Sequence, residues 1–139
     1  AQVNAGMLRI FHGRSMTSAA YALLLPGGQV RFAGAGHPPL LVRRADGRVK
    51  TVASRGTVLG VLPDRTFPMQ AVRLGAGDAA LLFTDGLYSA RLPDGARAAL
   101  EHVPPAFTEE QGVPALIERM RGESAFDDDV TAIAMRRAD

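Results

Sequence analysis

The chain has 139 residues, 47% of them apolar and 22% charged, with a net charge of +2. That is one domain's worth of sequence, and the composition excludes a disordered or collagen-like chain. There is no cysteine, which excludes disulfide frameworks, zinc–thiolate sites, iron–sulfur clusters and thiol catalysis. No apolar run approaches the roughly 18 residues of a membrane span, and the start does not read as a signal segment. A cytoplasmic location is the simplest expectation. The chain starts at Ala1, not Met, with residues already helical in character, so an upstream N-terminus is expected.

Charge is unevenly spread. Residues 1–70 hold nine Lys/Arg against two Asp, and residues 71–139 hold seven Arg against twelve Asp/Glu. All the basic residues but Lys50 are Arg. Genomic base composition is one reading of that bias. A basic face for a phosphorylated or acidic partner is the sharper alternative. Nucleic-acid binding is not expected, because the basic residues are scattered and only two Tyr and six Phe exist to stack bases.

No internal repeat, low-complexity tract or linker is present. Residues 1–11 read as a helix, with Val3, Met7, Ile10 and Phe11 near one face and Gly13 as the stop. Thr17 to Leu25 and Val30 to Ala33 read as strands around a Gly27-Gly28 turn. Leu40 to Arg43 and Arg48 to Val52 form a second hairpin around Asp46-Gly47. Met69 to Leu74 and Ala79 to Phe83 read as a third pair, joined by Gly75-Ala76-Gly77-Asp78. A short helix is expected around Ala96 to Glu101. A longer one carries Val113, Leu116, Ile117 and Met120 on one face, with Pro114 in its first turn and Gly122 as its cap. Val130 to Met135 is the last strand, from its Val, Thr and Ile content. Helix, several antiparallel strands, helix, strand is an α+β order with helices outside the sheets.

Three segments carry possible chemistry. The apolar run Ala79 to Phe83 ends abruptly in Thr84-Asp85-Gly86. This is either a plain Asp-Gly turn or a carboxylate held rigidly at a strand end, as a metal site requires. Asp127-Asp128-Asp129 precedes the last strand. Three adjacent carboxylates repel, so the loop is either solvated or a hard-cation site. Mg²⁺ or Mn²⁺ suits oxygen donors, and zinc suits them less well without cysteine. Gly34-Ala35-Gly36-His37-Pro38-Pro39 permits a tight backbone, and His37 is either a loop histidine or an acid or ligand.

Taken in order, Ala33 to Leu40, Leu59-Gly60-Val61, Leu74-Gly75-Ala76-Gly77-Asp78, Phe83-Thr84-Asp85-Gly86 and Asp128-Asp129-Val130-Thr131 resemble one family closely. It is the bacterial sporulation stage II protein E type of serine/threonine phosphatase, a branch of the metal-dependent protein phosphatases similar to protein phosphatase 2C. The resemblance runs over essentially the whole chain. It implies an α-β-β-α sandwich of two antiparallel sheets with outer helices, the N-terminal part of the fold being absent. Residues 1–139 would then be the C-terminal portion of a single phosphatase domain.

The resemblance further implies two Mn²⁺ or Mg²⁺ ions in the complete domain, with Asp85 and Asp128 as metal ligands. Thr84, Gly86, Asp129, Gly36 and His37 would lie beside the site. It implies hydrolysis of phosphoserine or phosphothreonine on a partner-switching regulator of the anti-sigma-factor antagonist type. An upstream sensor or regulatory domain is expected in the parent protein. Two departures stand out. The family's Asp-x-x-Gly-His-Gly motif has no match, so this piece alone is expected to be inactive. Ser89 stands where the family often has Glu. The competing expectation is a non-catalytic phosphatase-like module that docks a signalling regulator.

Overall fold

The computed structural model describes residues 1–92, 95–108 and 112–138. Its elements in chain order are α1 (Gln2–Phe11), β1 (Ala19–Leu25), β2 (Gln29–Ala35), β3 (Leu40–Arg43), β4 (Val49–Val52), β5 (Gln70–Arg73), β6 (Ala79–Phe83), α2 (Val103–Ala106), α3 (Gly112–Arg121) and β7 (Ala132–Arg136). The class is mixed α+β, with two antiparallel sheets, as expected. The chain forms two compact units, one of residues 1–39 and 52–73, the other of 40–51 and 74 onward.

The first unit holds α1 and the sheet β1-β2-β5. β1 and β2 pair from Ala19↔Ala35 to Leu25↔Gln29. Their connection is a 3-10 turn over Pro26–Gly28, one residue longer than expected. β2 then pairs with β5 through Val30↔Val72 and Phe32↔Gln70. This corrects the expected pairing of β5 with β6. The two runs are adjacent in sequence, but the chain changes sheet between them.

Helix α1 ends at His12, which takes the left-handed conformation one residue before Gly13. Its apolar residues do not form a buried stripe, since Val3, Ile10 and Phe11 are exposed. The buried helix residue is Asn4. Its amide donates to Leu62 O at 2.9 Å and accepts from Gly60 N–H at 2.8 Å. A polar clasp therefore ties α1 to Gly60 and Leu62, and both ends of the buried amide are satisfied.

The second unit holds the sheet β4-β3-β6-β7 with α2 and α3. β3 and β6 pair through Leu41↔Leu81, and β6 and β7 pair from Ala79↔Arg136 to Phe83↔Ala132. Alternation puts Ala79, Leu81 and Phe83 on one face of β6. That face, with Leu41, packs against Leu87, Ala98, Val103, Phe107, Leu116 and Met120. The face predicted for α3 is thus the buried one, and Gly122 caps it through a bond to Glu118 O. The helix expected over 96–101 starts later, as a 3-10 turn at Leu100–His102 running into α2. Pro104 and Pro105 suit a first turn, where a missing N–H costs nothing.

Asp78 joins the turn before β6 to the β3–β4 connection. It is 5% exposed. It accepts from Arg44 at 2.7 Å, from Ala45 N–H at 2.9 Å and from Gly75 N–H at 2.8 Å. Burial alone raises its pKa, but the Gly75 N–H, Arg44 and the Ala45 N–H outweigh it, so the net shift is downward. A carboxyl depressed in the folded state stabilises above its unfolded pKa of about 3.9, and that stability fades as pH falls toward the folded value. Asp78→Asn is therefore expected to cost about 2 kcal/mol at neutral pH. The gap in urea midpoint between wild type and variant should narrow below about pH 4. A gap unchanged at low pH rules out the charged carboxylate as the cause.

Candidate active site

Strand β6 delivers Thr84-Asp85-Gly86 to its own C-terminal end, and β7 begins just after Asp127-Asp128-Asp129. Because Phe83 pairs with Ala132, the two segments meet although Asp85 and Asp128 are forty-three positions apart. Thr84 continues the ladder, its N–H donating to Thr131 O at 2.9 Å. Its hydroxyl accepts from Thr131 N–H at 3.0 Å and lies 3.3 Å from Asp129 O. One threonine thus fastens the C-terminal side of the acidic loop to the strand end.

After Thr84 the chain tightens into a 3-10 turn over Asp85–Tyr88. Ser89 closes it. Its hydroxyl donates to Gly86 O at 2.8 Å and accepts from Asp127 N–H at 3.1 Å. Ser89 is buried, so this is a second staple between the strand end and the acidic loop. The residue that departs from the family pattern therefore has a clear structural job. Its role was not legible in sequence, because nothing there pairs Ser89 with Asp127.

Gly86 is fixed by space. A Cβ there would overlap the Asp129 carbonyl oxygen and stand 2.8 Å from its carbon and 3.3 Å from Asp128 O. No side chain fits while the acidic loop stays in place. Within that loop, Asp129 N–H donates to the Asp128 carboxylate at 2.8 Å. The side chains of Asp85, Asp128 and Asp129 are all exposed.

Asp85 and Asp128 line one cleft of about 410 Å³, with Tyr88, Ser89, Arg97, Ala98, Ala99 and Leu100. Tyr88 packs edge-on against Phe83, ring centroids 6.4 Å apart. Burial, and secondarily the charge of Asp85, raises the Tyr88 pKa, so its phenol keeps its proton at neutral pH. Arg97 lies on the same cleft, paired with Asp127 at 3.1 Å. Tyr88 and Arg97 carry no signal in the sequence, and no spacing rule connects Arg97 to either aspartate; Asp127 stands out there only as one of the three loop carboxylates.

Two exposed carboxylates on one cleft are hard oxygen donors, which fits Mg²⁺ or Mn²⁺ with water completing the shell. Among the described residues no group of three or more His, Asp or Glu stands ready to hold a metal.

Gly36 and His37 lie in the first unit. Gly36 has φ +59, and a Cβ there would collide with Val58; its N–H donates to Gly56 O at 2.7 Å. His37 Nδ1 is 3.1 Å from Pro38 O. The glycine at 36 is explained by this packing.

The sequence matches the description Stage II sporulation protein E (SpoIIE) over residues 1–138. The chain belongs to that family. Among solved structures, the RsbU and RsbW domains of Rv1364c from Mycobacterium tuberculosis are 26% identical, with a TM-score of 0.68 over 86% of this chain and 35% of that one. The SiaA-PP2C domain of Pseudomonas aeruginosa is 20% identical, with a TM-score of 0.75 over 96% of this chain and 57% of that one. The phosphatase domain of SpoIIE from Bacillus subtilis, presoaked with Mn, is 16% identical, with a TM-score of 0.62 over 88% and 57%. The latter two establish the fold. This SpoIIE-family chain spans between 35% and 57% of the three solved chains. Among the described residues, no helix is long and apolar enough to cross a membrane.

Gly86→Ala tests the packing at the strand end. Forcing a methyl group against a fixed carbonyl is expected to cost about 1–3 kcal/mol or to displace the acidic loop. Amide NMR shifts should move at Asp128, Asp129 and Thr131 beyond the immediate neighbours of residue 86. Unmoved shifts at all three would show that the loop does not depend on this contact.

Proposed function

We propose that this chain is the C-terminal portion of a metal-dependent serine/threonine phosphatase domain. Its substrate would be a phosphoserine or phosphothreonine on a partner-switching regulator of the anti-sigma-factor antagonist type. The observation that carries the reading is that Asp85 and Asp128, from two separate motifs, line one cleft. Family membership and the phosphatase-domain fold support it. The Mn-presoaked relative supports the choice of metal, and the RsbU and RsbW domains support the partner class.

The residues divide the work simply. Asp85 and Asp128 would hold Mn²⁺ or Mg²⁺, two ions being bound in the complete domain. The metal, when bound, acidifies water and offsets charge on phosphoryl oxygens. Thr84, Ser89 and Gly86 set the distance between the two carboxylates by holding their backbones together. Tyr88 keeps a neutral O–H on the cleft wall. In the overall reaction a water oxygen bonds to phosphorus, the bond from phosphorus to the serine or threonine oxygen breaks, and that oxygen takes a proton. No cysteine is available as a nucleophile, and in-line attack by water needs none.

Two carboxylates are too few to clamp two ions. Residues 1–139 alone are therefore expected to be inactive, and the longer protein active. The same shortage is what favours the second reading, a docking module that has lost turnover. Phosphate release from a phosphoserine protein, measured with Mn²⁺ and with chelator, separates them. In the full-length protein Asp85→Asn and Asp128→Asn should each lower turnover by at least about 100-fold. His37→Ala should be much milder. Full activity in Asp85→Asn would refute the phosphatase assignment, and absence of Mn²⁺-dependent release from the full-length protein would favour docking.

A further inference from the structure

A phosphate monoester carries close to two negative charges at neutral pH. Cations held by Asp85 and Asp128 would offset charge there, but a directional hydrogen-bond donor to the phosphoryl oxygens has to come from the cleft wall. Among the described residues that line the cleft, Arg97 is the one cation. We infer that Arg97 is the phosphoryl-binding residue of this cleft and that Asp127 holds it in reserve until substrate arrives. This rests on the proposed phosphatase reading and adds to it the group that recognises the substrate's phosphoryl oxygens.

The base of Arg97 is firmly placed. Arg91 and Arg97 form an antiparallel bridge. Ala98 N–H donates to Ala90 O at 2.9 Å, and both alanines are buried. The Arg97 backbone is therefore pinned by an isolated bridge and by its buried neighbour Ala98, which places the base of the side chain at the cleft wall. Its fork of donors matches two phosphoryl oxygens at once.

Its present partner is weakly held. The Arg97 side chain is 67% exposed and that of Asp127 is 42% exposed. An ion pair this open to water contributes little and is screened by salt. A phosphoryl group, with more charge and two aligned acceptors, displaces a single carboxylate oxygen readily. Asp127 is itself tethered, because its N–H donates to buried Ser89. The carboxylate therefore stays beside the cleft when Arg97 turns inward. Asp127, the acid without a role in the family pattern, becomes a competitor that tunes affinity.

Calorimetric titration of inorganic phosphate into the full-length protein with Mg²⁺ tests this without relying on turnover. Arg97→Ala should weaken phosphate binding by about tenfold or more, and Arg97→Lys, which keeps the charge but loses the fork, by less. Asp127→Asn should tighten it by roughly two- to fivefold, because the competitor is gone. Opposite signs for the two sites are what a purely structural ion pair cannot produce. Weakening in both Arg97→Ala and Asp127→Asn overturns the inference. So does unchanged affinity in Arg97→Ala, or no phosphate binding by wild type. If phosphate binding follows the expected pattern while Asp85→Asn hydrolyses as fast as wild type, the phosphatase reading fails and the phosphoryl site stands.

Discussion

The backbone of Asp128 and Asp129 runs against Gly86 with no room for a single methyl group between them. Everything proposed for the cleft depends on that approach, and the approach depends on strand register. Because Phe83 opposes Ala132, the residues just beyond each strand end must lie side by side. A slip of one residue would send every β7 side chain to the other face and carry the acidic loop away from Asp85. Thr84 and Ser89 then lock what the register delivers. Each uses one hydroxyl for two bonds, so two small side chains hold three backbone segments without filling the cleft.

Strand β6 also shows how environment divides one residue type into two roles. Asp78 stands at its start and Asp85 just after its end. Asp78 is buried and accepts from three donors, which makes it a structural node. Asp85 is exposed and lines the cleft. A buried carboxylate committed to three donors is closed off from a ligand, whereas an exposed one can take a cation at small desolvation cost. Five strand residues separate the two, and the rigid strand keeps the roles apart.

The motifs of the first unit carry a different lesson. Gly34, Gly36, Gly56 and Gly60 are where backbone passes close to backbone or to a neighbouring side chain. Their small size is explained by packing, as is the buried amide of Asn4 that clasps Gly60. A family pattern can thus mix residues of two kinds. Some hold the chain together, and others face the solvent with a free carboxylate.

Most elements were legible in the sequence, because local chemistry specifies them. The Asp46-Gly47 turn marked β3 and β4, a short continuous apolar run marked β6, and the 3.6-residue period marked the buried face of α3. The chemical character of Asp85 and of the acidic loop was also legible, since carboxylates at a strand end look the same in any fold. What local pattern could not decide was which strands pair. β5 and β6 look like a hairpin, yet each hydrogen-bonds to strands elsewhere in the chain. Pairing is a non-local choice, made by the core that Leu41, Leu81, Phe83 and Leu116 build together. The α1 face misled for the same reason, because a buried amide outranked an apolar stripe once Gly60 and Leu62 were nearby. Arg97 and Ser89 became meaningful only in three dimensions, where a charge or a hydroxyl is defined by what stands within about 3 Å of it.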